Sequence, residues 1–153
     1  MRKIYMICIL LLFITGGCTS KPDKPFSEME LNPGNGEVTS ISLTDAIEKK
    51  ENKETYILMF SQTYCSYCLD FFMETDSYTK EIGLSIYDVI LDDETESQEN
   101  TLSIIKDNFS SFSSTPSLYY IAEGKVQESL LSSDTEVNLD SYKRWLKKLQ
   151  IIE

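Results

Sequence analysis

The sequence predicts an α/β domain built on a mixed central sheet with helices on both faces. Three observations carry that reading. Apolar runs of strand length alternate with stretches of helical periodicity, the pattern of parallel strands joined by helices. Two of the runs, "TYILMF" and "LSIYDVIL", are continuous rather than alternating, as strands buried on both faces should be. Near the C-terminus two further runs flank Ala122-Glu123-Gly124-Lys125, a hairpin signal that adds antiparallel strands to the sheet.

The domain is expected to occupy residues 37–153. "EVTSISL" alternates apolar and polar residues and reads as a short strand. "TDAIEKKEN" follows as a short helix, with Thr44 or Asp45 as its cap. After the strand "TYILMF", "LDFFMETDSYTKEIG" reads as a helix ending at Gly83, with Leu69, Phe72, Met73 and Ile82 mostly on one side. "LSIYDVIL" is the next strand. Asp92, Asp93 and Glu94 then start a helical segment through "ESQENTLSIIKDNF", and acidic residues there suit a first turn better than a metal. A Ser-rich loop leads to the hairpin. The chain closes on "NLDSYKRWLKKLQII", an amphipathic helix capped by Asn138, with Tyr142, Trp145, Leu146, Leu149 and Ile152 as its apolar stripe. Trp145 reads as core.

The first residues follow a different logic. "MRK" is basic, "IYMICILLLFI" is apolar but short for a bilayer span, and "TGGC" is a small-residue site ending in cysteine. Residues 1–17 therefore read as a secretory signal. A cysteine directly after the site, Cys18, points to lipidation, with Thr15 a departure where leucine is usual. Residues 18–36, rich in Pro, Gly, Asn and charge, read as the lipidated cysteine and a flexible tether. The expected location is extracytoplasmic, held at the cell membrane by lipid. With 14 basic against 25 acidic residues the chain carries a formal charge of −11, and losing Arg2 and Lys3 makes it more negative. Such a surface is a poor partner for nucleic acid and for anionic headgroups, so lipid rather than charge would hold it.

Of four cysteines, Cys65 and Cys68 remain as free chemistry, in "TYCSYC". A structural zinc site takes four Cys or His ligands, and this chain has no histidine and no second cysteine pair. A staple across so short a loop constrains the unfolded chain little. Thiol–disulfide exchange fits the position best. Cys65 would stand at a helix N-terminus, where unpaired N–H groups and the helix dipole favour a thiolate. Cys68, one turn further in, could close on a mixed disulfide. One cysteine attacks and the other resolves.

With these residues in view, the sequence resembles the thioredoxin superfamily. "YILMFSQTYCSYC" is similar to its strand and C-x-x-C helix start, and "TPSLYYIAEGKV" to its Thr-Pro, strand and Gly-Lys turn. The resemblance runs from Val38 to the end and extends, more loosely, to lipoprotein thioredoxins of Gram-positive bacteria and bacteriocin transport accessory proteins. It implies a thioredoxin-like fold, a cis Thr115–Pro116 bond beside the cysteines, and a backbone at Thr115 that pairs with substrate while Pro116 shapes the wall. Tyr64, Ser66 and Tyr67 are expected to contact substrate, the two tyrosines as an apolar rim. Partners would be protein thiols or disulfides and a redox partner protein; no cofactor is implied, and a monomer is expected. Three departures stand out: Met59 replaces a buried carboxylate, Tyr64 replaces tryptophan, and Ser66-Tyr67 lies between the cysteines. The competing reading is an accessory or chaperone module for secretion or bacteriocin export with an idle disulfide.

Overall fold

A computed structural model describes residues 29–153. The signal at 1–17, Cys18 and the tether as far as residue 28 lie outside the described residues. The elements run β1 (Glu37–Ser40), α1 (Leu43–Glu51), β2 (Tyr56–Ser61), α2 (Ser66–Ile82), β3 (Ser85–Ile90), α3 (Gln98–Asn108), β4 (Ser117–Ala122), β5 (Lys125–Leu131) and α4 (Leu139–Lys148). This is the expected order.

The sheet runs β1-β3-β2-β4-β5. β1 and β2 flank β3 in parallel, while β4 lies antiparallel to β2 and β5 to β4. Met59 faces Asp88 on one side and Leu118 on the other. β2 and β4 are buried along their whole lengths, which explains their unbroken apolar sequences. The β4–β5 turn takes positive φ at Glu123 (52°) and Gly124 (75°), the geometry that matches a hairpin's twist.

Two cores result. Ile57, Met59, Ile86 and Leu118 meet Phe71 of α2 and Tyr142, Trp145, Leu146 and Leu149 on or just beyond α4. On the opposite face Leu58, Phe60, Val89 and Tyr119 meet Leu43 and Ala46 of α1, Ile105 of α3 and the following Phe109. Asn138 caps α4 by accepting from Ser141 N, and the expected stripe, Trp145 included, is buried apart from the half-buried Ile152.

Four local expectations need correction. The cap of α1 is Ser42, whose hydroxyl accepts from Asp45 N while Asp45 reaches back, a capping box that places Asp45 three residues into the helix. The buried side of α2 carries Cys68, Phe71, Thr75 and Thr79. Leu69 and Met73, expected on that side, are 60% and 72% exposed. Asp92, Asp93 and Glu94 do not open α3, which is capped by Ser97; instead Glu94 Oε1 accepts from Leu43 N (2.8 Å), at the start of α1. Finally, residues 29–36, read as tether, are seated on the domain. Asn32 N donates to Gly83 O (2.8 Å), Gly34 N to Lys80 O (3.0 Å), and Met29 and Leu31 pack on the α2–α4 core. Gly83 has φ +75°, and a Cβ there would collide with the Asn32 carbonyl, so the end of α2 and this segment fit each other only with glycine.

Candidate functional site

Cys65 is the N-cap of α2 and takes extended backbone (φ −92°, ψ 104°). Its Sγ accepts from Cys68 N at 3.1 Å, so the helix start presents an N–H to the sulfur. Cys65 and Cys68 form a disulfide, with Cα atoms 5.2 Å apart. Cys65 is half-buried, whereas Cys68 is 2% exposed. The two sulfurs are therefore unequal in access: an incoming group reaches Cys65 first.

The Thr115–Pro116 bond is cis, as the resemblance implies, and it lies against the disulfide. Thr115 O is 3.7 Å from Cys65 Sγ. The Thr115 hydroxyl lies 3.1 Å from Gln62 Oε1 and 3.5 Å from Cys65 Sγ, and can give its single proton to either. Thr115 is half-buried and Pro116 buried. Ser66 is exposed at the first position of α2, and Tyr64 and Tyr67 are 97% and 71% exposed. The structure thus gathers Tyr64, Ser66 and Tyr67 on one short segment and brings Thr115 and Pro116 to it from across the sheet.

Two carboxylates bear on this site in ways that their place in the sequence does not show. Asp92 Oδ1 accepts from Thr63 N (2.9 Å), tying the loop after β3 to the segment entering the cysteines. The hydrogen bonds from Thr63 hold the Asp92 carboxyl below its ordinary range. The other group is Asp88. Met59 is fully buried and has no proton to exchange, but its neighbour in register on β3, Asp88, is a carboxylate only 4% exposed. Strand alternation puts Asp88 on the same face as Ile86 and Met59, the face covered by α2. Ser61 donates to Asp88 Oδ2 (2.8 Å), and Oδ1 has no partner among the described residues. Burial pushes its pKa up from 3.8 to about 6, with the Ser61 hydrogen bond opposing. In the sequence, Asp88 is hidden inside an apolar run; its only signal is a charge where a doubly buried strand should have none.

A groove of about 590 Å³ opens beside the disulfide. It is lined by Tyr67, Phe71 and Met73 of α2, by Thr115 and Pro116, and by Glu136 and Val137 of the loop before α4.

No protein-family model matches the sequence, and neither does any curated protein. Solved structures do. Thioredoxin f2 of Chlamydomonas reinhardtii matches with a TM-score of 0.57 and 9% identity, over 76% of this chain and 100% of that one. Spinach chloroplast thioredoxin f matches with 0.53 and 13%, over 80% and 99%. A thioredoxin f2 in complex with ferredoxin:thioredoxin reductase matches with 0.53 and 9%, over 77% and 96%. At these identities the likeness establishes the fold: the chain has the thioredoxin fold, with a Cys-x-x-Cys disulfide at the start of α2.

Proposed function

We propose that this protein is a thiol–disulfide oxidoreductase that exchanges disulfides with protein substrates. The observation that carries the reading is the asymmetric Cys65–Cys68 disulfide at a helix N-terminus, set against a cis proline. In the reducing direction the Cys65 thiolate attacks a substrate disulfide, forming a Cys65–substrate bond and expelling one substrate thiolate. Cys68, as thiolate, then attacks Cys65 Sγ, re-forming the Cys65–Cys68 disulfide and releasing the second thiolate. The substrate gains two electrons and the cysteine pair loses two. The oxidising direction is the same sequence reversed.

The first step is favoured by the N–H of Cys68 and the helix dipole, both of which stabilise negative charge on Cys65. The second step requires the buried Cys68 to lose a proton. Asp88 is the candidate to receive that proton: it is the one buried carboxylate among the described residues, and it lies on the sheet face that α2 covers. Thr115 offers its backbone to an extended substrate segment beside Cys65, and Tyr64, Ser66 and Tyr67 form the exposed rim.

The signal-like residues 1–17 and the Cys18 that follows support an extracytoplasmic domain held at the membrane by lipid, facing a redox partner protein there. The strand and helix that precede the cysteine motif support kinship with Gram-positive lipoprotein thioredoxins and bacteriocin accessory proteins.

The test is reduction of insulin disulfides by dithiothreitol, with wild type and Cys65→Ser side by side. Wild type is expected to accelerate it and the variant to run at background. Equal rates would remove the enzymatic reading and leave a binding module. Cys68→Ser should accumulate mixed disulfides through Cys65, visible by mass spectrometry.

A further inference from the structure

The surface around the cysteines combines two features found together nowhere else among the described residues. The large apolar side chains left most exposed are Tyr64, Tyr67, Leu69 and Met73, all within the motif and the first half of α2. Unpartnered apolar surface concentrated at one place marks a contact site. Two of them, Tyr67 and Met73, line the groove, and Asp70, Glu74 and Glu136 line it with them. Among the described residues, no lysine or arginine contributes to its wall, and none of the three carboxylates is in a salt bridge. Glu74 accepts from Leu139 N (3.2 Å), which fixes one carboxylate in place on the groove wall without neutralising it.

We propose that this groove receives extended polypeptide segments that are apolar and positively charged, and that its acidic wall selects them as substrates. The occupant follows from the chemistry. Three uncompensated carboxylates repel an acidic chain and attract lysine or arginine, while Tyr67 and Met73 offer apolar contact to the residues between. Met73 is unbranched and adaptable, which suits a surface that accepts many sequences of one general character. The groove is continuous with Thr115 and Pro116, so a segment lying in it leads its cysteine to Cys65. This proposal rests on the oxidoreductase reading and names the substrate class for that site.

Two labelled cysteine-free peptides serve as probes, one with lysines flanking a Leu-Tyr pair and one with glutamates in the same places. Fluorescence anisotropy against the oxidised protein at low ionic strength is expected to show the lysine peptide binding about tenfold tighter. The gap should close in high salt and in Glu74→Gln/Glu136→Gln, and persist in Glu51→Gln/Glu123→Gln. The second pair makes the same change in net charge near the other end of the sheet, where β2 begins and the β4–β5 turn lies. Tyr67→Ser/Met73→Ser should weaken both peptides. Equal affinity for the two peptides, or an equal loss of the gap in both charge variants, would overturn the proposal. Insulin reduction measured on the same preparations keeps the two readings apart: turnover without peptide preference removes the groove, and preference without turnover removes the enzyme.

Discussion

The two faces of the sheet bury similar numbers of large side chains but do so with different chemistry. On the α1–α3 face Phe60 is ringed by Phe109, Phe112 and Tyr119, with centroids 5.1, 5.3 and 5.8 Å away, all edge-on. Such pairs add directional attraction to burial. On the α2–α4 face the apolar cluster is interrupted by Cys68, Thr75, Thr79, Ser61 and Asp88. Thr75 returns its hydroxyl to Phe71 O (2.7 Å), but Asp88 Oδ1 has no partner among the described residues. One face is specialised for cohesion. The other gives up cohesion to place a carboxylate, Asp88, on the sheet face that the cysteine-bearing helix covers.

Three substitutions would break or sharpen this contrast, measured by urea denaturation of the oxidised protein. Phe60→Ala should cost about 3–5 kcal/mol, the usual loss for a buried ring, at every pH where the protein folds. A small loss would mean that the aromatic face is not the cohesive one. Asp88→Asn should act in the opposite direction. The folded-state pKa of about 6 stands above the ordinary 3.8, so the protonated carboxyl favours the folded state. That contribution is complete below pH 4 and is lost as pH rises through 6, leaving a cost on the order of 2–3 kcal/mol at neutral pH. Asp88→Asn should therefore be more stable than wild type at pH 8 by up to that amount and indistinguishable at pH 4. The same variant should change the pH profile of the resolving step. Identical stability at both pH values would show that Asp88 is not the strained group on this face. Met73→Ser, on the exposed side of α2, should move stability by less than about 0.5 kcal/mol while weakening peptide binding.

Much of this was legible in the residues. Apolar continuity identified β2 and β3, the turn at Glu123-Gly124 identified the hairpin, and "TYCSYC" after a buried strand located the cysteines. The failures share a cause: they are places where polar residues are buried or apolar ones exposed. Periodicity assigned Leu69 and Met73 to the core side of α2 because the true buried positions hold Cys68, Thr75 and Thr79, which read as polar. Asp88 was invisible because hydropathy treats a strand as a whole. Asp92 and Glu94 read as local capping residues, but their partners, Thr63 and Leu43, are distant in sequence. The groove was unreadable too, since it joins residues 67–74 to 114–116 and 132–138, which only the fold brings together. In these places function or tertiary contact overrides the local pattern.

The seat of residues 32–34 on Lys80 and Gly83 has a consequence for how the molecule would be presented. α2 spans residues 66–82, roughly 25 Å at 1.5 Å per residue, with the disulfide at one end and this seat at the other. The polypeptide leading in from the N-terminus meets the domain at the pole away from its chemistry. A partner engaging the cysteines and the chain entering at residue 32 therefore occupy opposite poles of the domain, a helix length apart.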